Sequence, residues 1–211
     1  MENTKSIIPQ LASSLKRRDE IFNIQLAERI VKEKNKAAVK ELVELLEHKD
    51  KNIQSDCIKV LDEIGKINPA MVSSYCKIFI DMLENKNNRM VWGTMCVLDS
   101  IVDSHAELIF KSLVKIVEAS DKGSVITKDH AVNILIKLSG DKQYTKTTFP
   151  LLIEQLKFCP GNQLPMYAEN AAPIINVKNK QVFIETISAR IKEMQTDSKK
   201  KRIEKVVKQL S

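Results

Sequence analysis

The chain has 211 residues, 43% of them hydrophobic but only 5% aromatic, so a sizeable core is built mainly from Ile, Leu and Val. Five glycines and six prolines leave little material for tight β-turns, and the apolar runs follow a period of 3.6 instead of 2, which predicts an all-α fold. The 34 basic and 27 acidic side chains are unevenly placed: residues 1 to 120 hold 18 of each sign, and residues 121 to 211 hold 16 basic and 9 acidic, the whole of the +7 excess. A basic second half suits an acidic protein, a nucleic acid or a membrane surface, or is simply a solvated lysine-rich face. No segment approaches the roughly 20 apolar residues of a membrane span, and no secretory leader is recognisable, so no integral membrane association is expected. Cys57, Cys76, Cys96 and Cys159 show no CxxC pairing and read as reduced core residues, which points to a cytoplasmic protein with a nuclear location left open.

In chain order, Ile8, Leu11, Ala12 and Leu15 predict a first helix with Pro9 in its opening turn. Phe22, Leu26 and Ile30 predict a second helix over 20–34, completing an opening cap. The next pair is the reference unit. Val39, Leu42, Val43 and Leu46 stripe one helix; after HKDKN, with Asp50 and Asn52 suited to a helix start, Ile53, Cys57, Val60, Leu61 and Ile64 stripe its antiparallel partner. That unit is expected to close near Gly65, with Asn68 and Pro69 starting the next helix and with Ser55, Lys59 and Asp62 exposed and unremarkable.

Adding 37 to the reference stripes gives Cys76, Phe79, Ile80 and Leu83, then Met90, Thr94, Val97, Leu98 and Ile101. Further steps of 37 give Thr127, Ala131, Ile134, Leu135 and Leu138, then Leu164, Ala168, Ala171, Ala172 and Ile175. Two more first helices are read from Phe110, Leu113, Val114 and Val117, and from Phe149, Leu152, Ile153 and Leu156, with ASDKGSV as a lengthened turn and Pro165 as a first helical residue. Pro173 should kink or end its helix. A sixth pair spans 181–194 and 199–210, where Ile203, Val206, Val207 and Leu210 face inward.

A two-helix unit at this period predicts one domain over residues 1–211, a right-handed α-solenoid of about six antiparallel pairs, because no pair buries its apolar stripe alone. KELVELLEHKDKNIQSDCIKVLDEIG resembles HEAT and armadillo-type repeats: a leucine-rich helix, a short turn with Asp, and a second helix with a β-branched start and a small residue four positions on. The first helices are read as lacking the proline that often bends those of HEAT repeats, and Gln54, Val91 and Lys128 stand where an Arg is common. The choice between HEAT and armadillo therefore stays open.

The resemblance implies that second helices line a concave face. On that reading the partner-binding candidates are Trp92, Cys96, Asp99, Asp129, Asn133, Met166, Tyr167 and Asn170, with Asp103 continuing the stripe. Exposed aromatics with amides suit a protein partner, although Trp92 packing on the neighbouring repeat is an equal reading at this point. Lys199, Lys200, Lys201 and Arg202 form a basic cluster open to phosphates, acidic partners or a nuclear-import role, against the plainer reading of a solvated capping helix. No GxxxxGK[ST], GxSxG or HExxH occurs, and His48, His105 and His130 fall on different repeats, so no catalytic residue, metal or cofactor is assigned. The expectation is a non-enzymatic interaction scaffold or adaptor. Two alternatives stand beside it: a nucleic-acid module resembling the HEAT-like glycosylases of alkylated DNA, where Trp92 and Asp99 would be the groove aromatic and acid, and a subunit of a larger assembly.

Overall fold

A computed structural model describes residues 6–17 and 19–210, and among them eleven α-helices and six short 3-10 turns but no strand. They are α1 (Ile21–Lys32), α2 (Lys36–Glu44), α3 (Lys51–Ile67), α4 (Cys76–Met82), α5 (Asn88–Lys111), α6 (Leu113–Lys122), α7 (Val125–Gly140), α8 (Thr145–Phe158), α9 (Leu164–Ala171), α10 (Lys180–Ala189) and α11 (Asp197–Leu210). The chain divides into two compact units, residues 1–128 and 129–211.

In the first unit α1 packs on α3, α3 on α5, and α4 on α5. The stripes spaced by 37 form this core: Cys57, Val60, Leu61 and Ile64 of α3 and Met90, Thr94, Val97, Leu98 and Ile101 of α5 are all buried. Helix starts repeat at the same interval. Asp50 and Asn87 accept from the backbone N–H groups of Asn52 and Arg89, and Ser124 accepts from Thr127 N, so each caps a second helix where its first turn has orphan donors. Gly65 does not close α3; it lies inside the helix, where a Cβ would come within 2.6 Å of Ser100 Oγ. Gly93 of α5 likewise leaves no room for a side chain, since a Cβ would stand 2.7 Å from Ile58 Cγ1. These two glycines let α3 and α5 approach closely.

Several expectations fail for identifiable reasons. The opening helix is only a 3-10 turn over Ile8–Gln10 followed by turns, with Lys16 at φ 56°, and Leu15 is exposed. Asn68 makes no side-chain cap, and Pro69–Met71 and Ser73–Tyr75 are 3-10 turns leading into a short α4. Within α5 the backbone breaks at His105 (φ −134°, ψ 31°), so that its range holds two helical segments on either side of a kink. That break shifts the phase of the next stripe, so Ile109, Leu113 and Ile116 are buried while Val114 is 71% exposed. ASDKGSV is not a long turn either: α6 continues to Lys122 and α7 begins at Val125.

In the second unit α10 packs on α8 and α11, and α9 packs on α8 and α11. Ala131, Ile134, Leu135 and Leu138 of α7, Phe149, Leu152, Ile153 and Leu156 of α8, and Leu164, Ala168 and Ala171 of α9 are buried, as the stripes predict. A bending proline is present after all, because Pro150 stands inside α8. Pro173 ends α9, which passes into a 3-10 turn at Ala172–Ile174 and then extended backbone at Ile175. Ile203 and Val206 anchor α11.

Candidate functional site

In the first unit the α1, α3 and α5 face is built on charge. Lys59 is only 8% exposed, yet its Nζ has three acidic neighbours: Glu63 Oε1 at 2.6 Å, Glu20 Oε2 at 3.2 Å and Asp62 Oδ2 at 3.7 Å. Lys66 Nζ meets Asp62 Oδ2 at 2.8 Å and Glu63 Oε1 at 3.0 Å. Glu20 Oε1 also takes Arg89 Nη2 at 2.5 Å, and the Arg89 guanidinium lies over the Trp92 ring, 5.1 Å from its centroid. The ion pair with Glu20 therefore ties Arg89 of α5 to the start of α1, and the stack lays that guanidinium on Trp92 of the same helix.

The expectation that Lys59 and Asp62 are exposed and unremarkable is thus corrected. Asp62 is 1% exposed, and its Oδ1 has no hydrogen-bond partner among the described residues. Burial raises the Asp62 pKa despite Lys66 and Lys59. Burial works the same way on Glu20 and Glu63, but their basic partners outweigh it: Arg89 and Lys59 hold Glu20 below the usual carboxylate range, and Lys59 and Lys66 do so for Glu63. The spacing Lys59, Asp62, Glu63, Lys66 is the i, i+3, i+4, i+7 signature of paired charges on one helix face, and it was present in the sequence.

Of the predicted α5 residues, Trp92 is half-buried and Asp103 exposed. Cys96 is 4% exposed and Asp99 8%, so both belong largely to the packing. Burial pushes the Cys96 thiol up to about 12, with Asp62 adding to the shift, which leaves it protonated and unreactive at neutral pH.

Between α7 and α9 of the second unit the donors are neutral. Asp129 Oδ1 accepts from Tyr167 Oη at 2.6 Å and from Gln163 Nε2 at 2.9 Å, and its Oδ2 lies 3.2 Å from the same amide. Tyr167 is 1% exposed, and burial followed by its bond to Asp129 raises its pKa. One turn further along α7 and α9, Asn170 Nδ2 donates to Asn133 Oδ1 at 3.2 Å, joining amides 37 residues apart. Asn170 is exposed, and Asn133 and Met166 are half-buried.

The basic cluster is largely engaged within its own unit. Arg202 forks onto Glu169 at 2.8 and 2.5 Å, Lys200 pairs with Asp197 at 3.2 Å, Lys199 donates to Asn162, and Lys201 is exposed. Among the described residues no three His, Cys, Asp or Glu side chains gather as a metal-holding group, and no helix is long and apolar enough to cross a membrane.

No family model matches the chain, and no curated protein matches it. Solved structures do. A designed armadillo repeat protein in complex with the peptide (KR)4 superposes with a TM-score of 0.70 at 15% identity, covering 98% of this chain and 100% of that one. The fold is that of an armadillo/HEAT-like helical repeat. A second designed armadillo repeat protein gives 0.66 at 15% identity over 96% of this chain and 99% of its own. Computationally designed armadillo repeat proteins for modular peptide recognition give 0.66 at 14% identity over 88% and 89%. At such identities an armadillo-like solenoid shares the packing scheme, and function rests on the residues at its surface.

Proposed function

We propose that this armadillo-like protein is a non-enzymatic interaction module of the cytoplasm that binds a protein segment through its second-helix faces, at Trp92 in the first unit and at Asn133, Met166 and Asn170 in the second. Trp92 carries the reading. The chain's only tryptophan is half-exposed, and Arg89, itself tied to Glu20, is stacked on it. A ring fixed in this way loses little freedom on binding, and aromatic side chains beside arginine are enriched among the residues that dominate interface energetics.

The exposed amide of Asn170, bonded to Asn133, offers donors and acceptors of the kind that read a peptide backbone. Peptide binding by the designed proteins of the same fold supports the partner class. A glycosylase-like role has less support. Asp129 is occupied by Tyr167 and Gln163, Asp99 is largely buried, and three members of the basic cluster are engaged by their own unit.

The test is affinity capture from the source cell with the wild type and with Trp92→Ala and Asn170→Ala, each checked for helix content. Loss of the same captured protein from both folded variants is expected, and undiminished capture by both overturns the proposal. A duplex DNA titration at low salt should show no affinity, since phosphate contact is strongest there.

A further inference from the structure

Among the described residues, ion pairs join separate helices at several places, three of which follow. Glu20, at the start of α1, holds Lys59 of α3 at 3.2 Å. Asp81 of α4 and Glu84 just after it hold Lys115 of α6 at 3.6 and 3.3 Å. Glu169 of α9 takes the fork of Arg202 of α11. At these places a basic side chain is answered by a carboxylate of another helix or of the residues beside it.

Helix α11 carries a second basic row on its exposed side, of which Lys205 also acts at a distance on Glu169. Ile203 and Val206 are buried, whereas Lys201, Lys205 and Lys208 are exposed. At 100° per residue the three lysines fall within about 60° of arc, on the side of α11 opposite Ile203 and Val206, and they step about 6 and about 4.5 Å along the axis. Glu204 and Gln209 flank the row, and no aromatic or arginine lies on it.

We propose that this row docks an acidic helix of a partner protein, whose carboxylates at i, i+4 and i+7 repeat the same axial steps. Spacing and sign match such a helix, and single pairings of a base with a carboxylate from another part of the chain already occur within the molecule. A nucleic-acid site is less well served, because single-strand sites add stacking aromatics and duplex sites need more phosphate contacts than three lysines supply. This row belongs to the second unit and Trp92 to the first, and the two proposals succeed or fail independently.

Fluorescence anisotropy tests it with two labelled helical peptides of identical composition, one with its glutamates along a single face and one with them scattered, and with a labelled DNA duplex. The one-faced peptide should bind best and weaken with salt. The triple variant Lys201→Glu, Lys205→Glu, Lys208→Glu should bind it about tenfold less tightly or worse, given the modest worth of each exposed pair. Trp92→Ala should bind it unchanged. If circular dichroism shows that the charge-reversed chain is unfolded, the three Lys→Gln changes replace it, with a smaller loss expected. Equal binding of the one-faced peptide by the folded triple variant, equal binding of the scattered peptide, or tighter binding of the duplex would each overturn the proposal.

Discussion

The two units solve the same packing problem with different polar chemistry. In the first, three bases and three acids on α1, α3 and α5 neutralise one another, and Lys59 and Asp62 are drawn into the packing as a result. In the second, Asp129 is satisfied by a phenol and an amide, and most lysines stay outside. Residues 129–211 carry 14 basic and 8 acidic side chains, so nearly all of the net positive charge belongs to the surface of this unit. Aliphatic stripes are common to both units. What differs is how two particular helix faces are made polar, by internal ion pairing where α3 and α5 meet the start of α1 and by neutral hydrogen bonds between α7 and α9, and that choice decides which charges those faces leave for partners.

Substitutions can sharpen this contrast. The largest effect is expected at the close approach of α3 and α5: Gly93→Ala pushes a methyl against the stiff, buried Ile58 side chain and should cost about 1–3 kcal/mol in a denaturant melt. In the second unit, Tyr167→Phe removes a donor from Asp129 and should cost about 1–2 kcal/mol with little salt dependence, since the lost donor is neutral. Glu20→Gln should cost less, a few tenths to about 1 kcal/mol, because the carboxylate is part-exposed, and high salt should shrink the difference. A salt-insensitive Glu20→Gln would break the contrast.

The smallest change is expected at Asp62, where the sign reverses. Its folded pKa is raised, so its favourable contribution is present below the unfolded value and is lost as pH rises through the folded one. Glu20 is the opposite case, contributing above its unfolded value and losing that as pH falls through its lowered folded value. Asp62→Asn should therefore leave stability at neutral pH unchanged or slightly higher, and thermal melts at acid pH should erase any gain. A clear loss at neutral pH would mean that the pairs to Lys66 and Lys59 outweigh the cost of burying the carboxylate.

The stripes on α3, α5, α7 and α9 were legible because burial repeats with the helix period and the repeat length is nearly constant. The α5–α6 junction was not: Ile109 and Phe110 are equally apolar, and only the break at His105 decides which of them enters the core. Trp92 could be placed on its helix face, but its stack with Arg89 depends on Glu20, 69 residues earlier. Lys59 and Asp62 were misread because residue type argues for exposure. Their pairs with Glu63 and Lys66 are local and lay in the sequence, and only the Glu20 contact of Lys59 comes from far along the chain.

Trp92 is the sole tryptophan, so its emission reports on the proposed contact face alone. The captured partner, lacking tryptophan or with its own tryptophans replaced, should shift that emission to the blue and protect it from acrylamide quenching as the complex forms. A complex that forms with Trp92 emission and quenching unchanged would contradict the assignment of this face as the site of protein recognition.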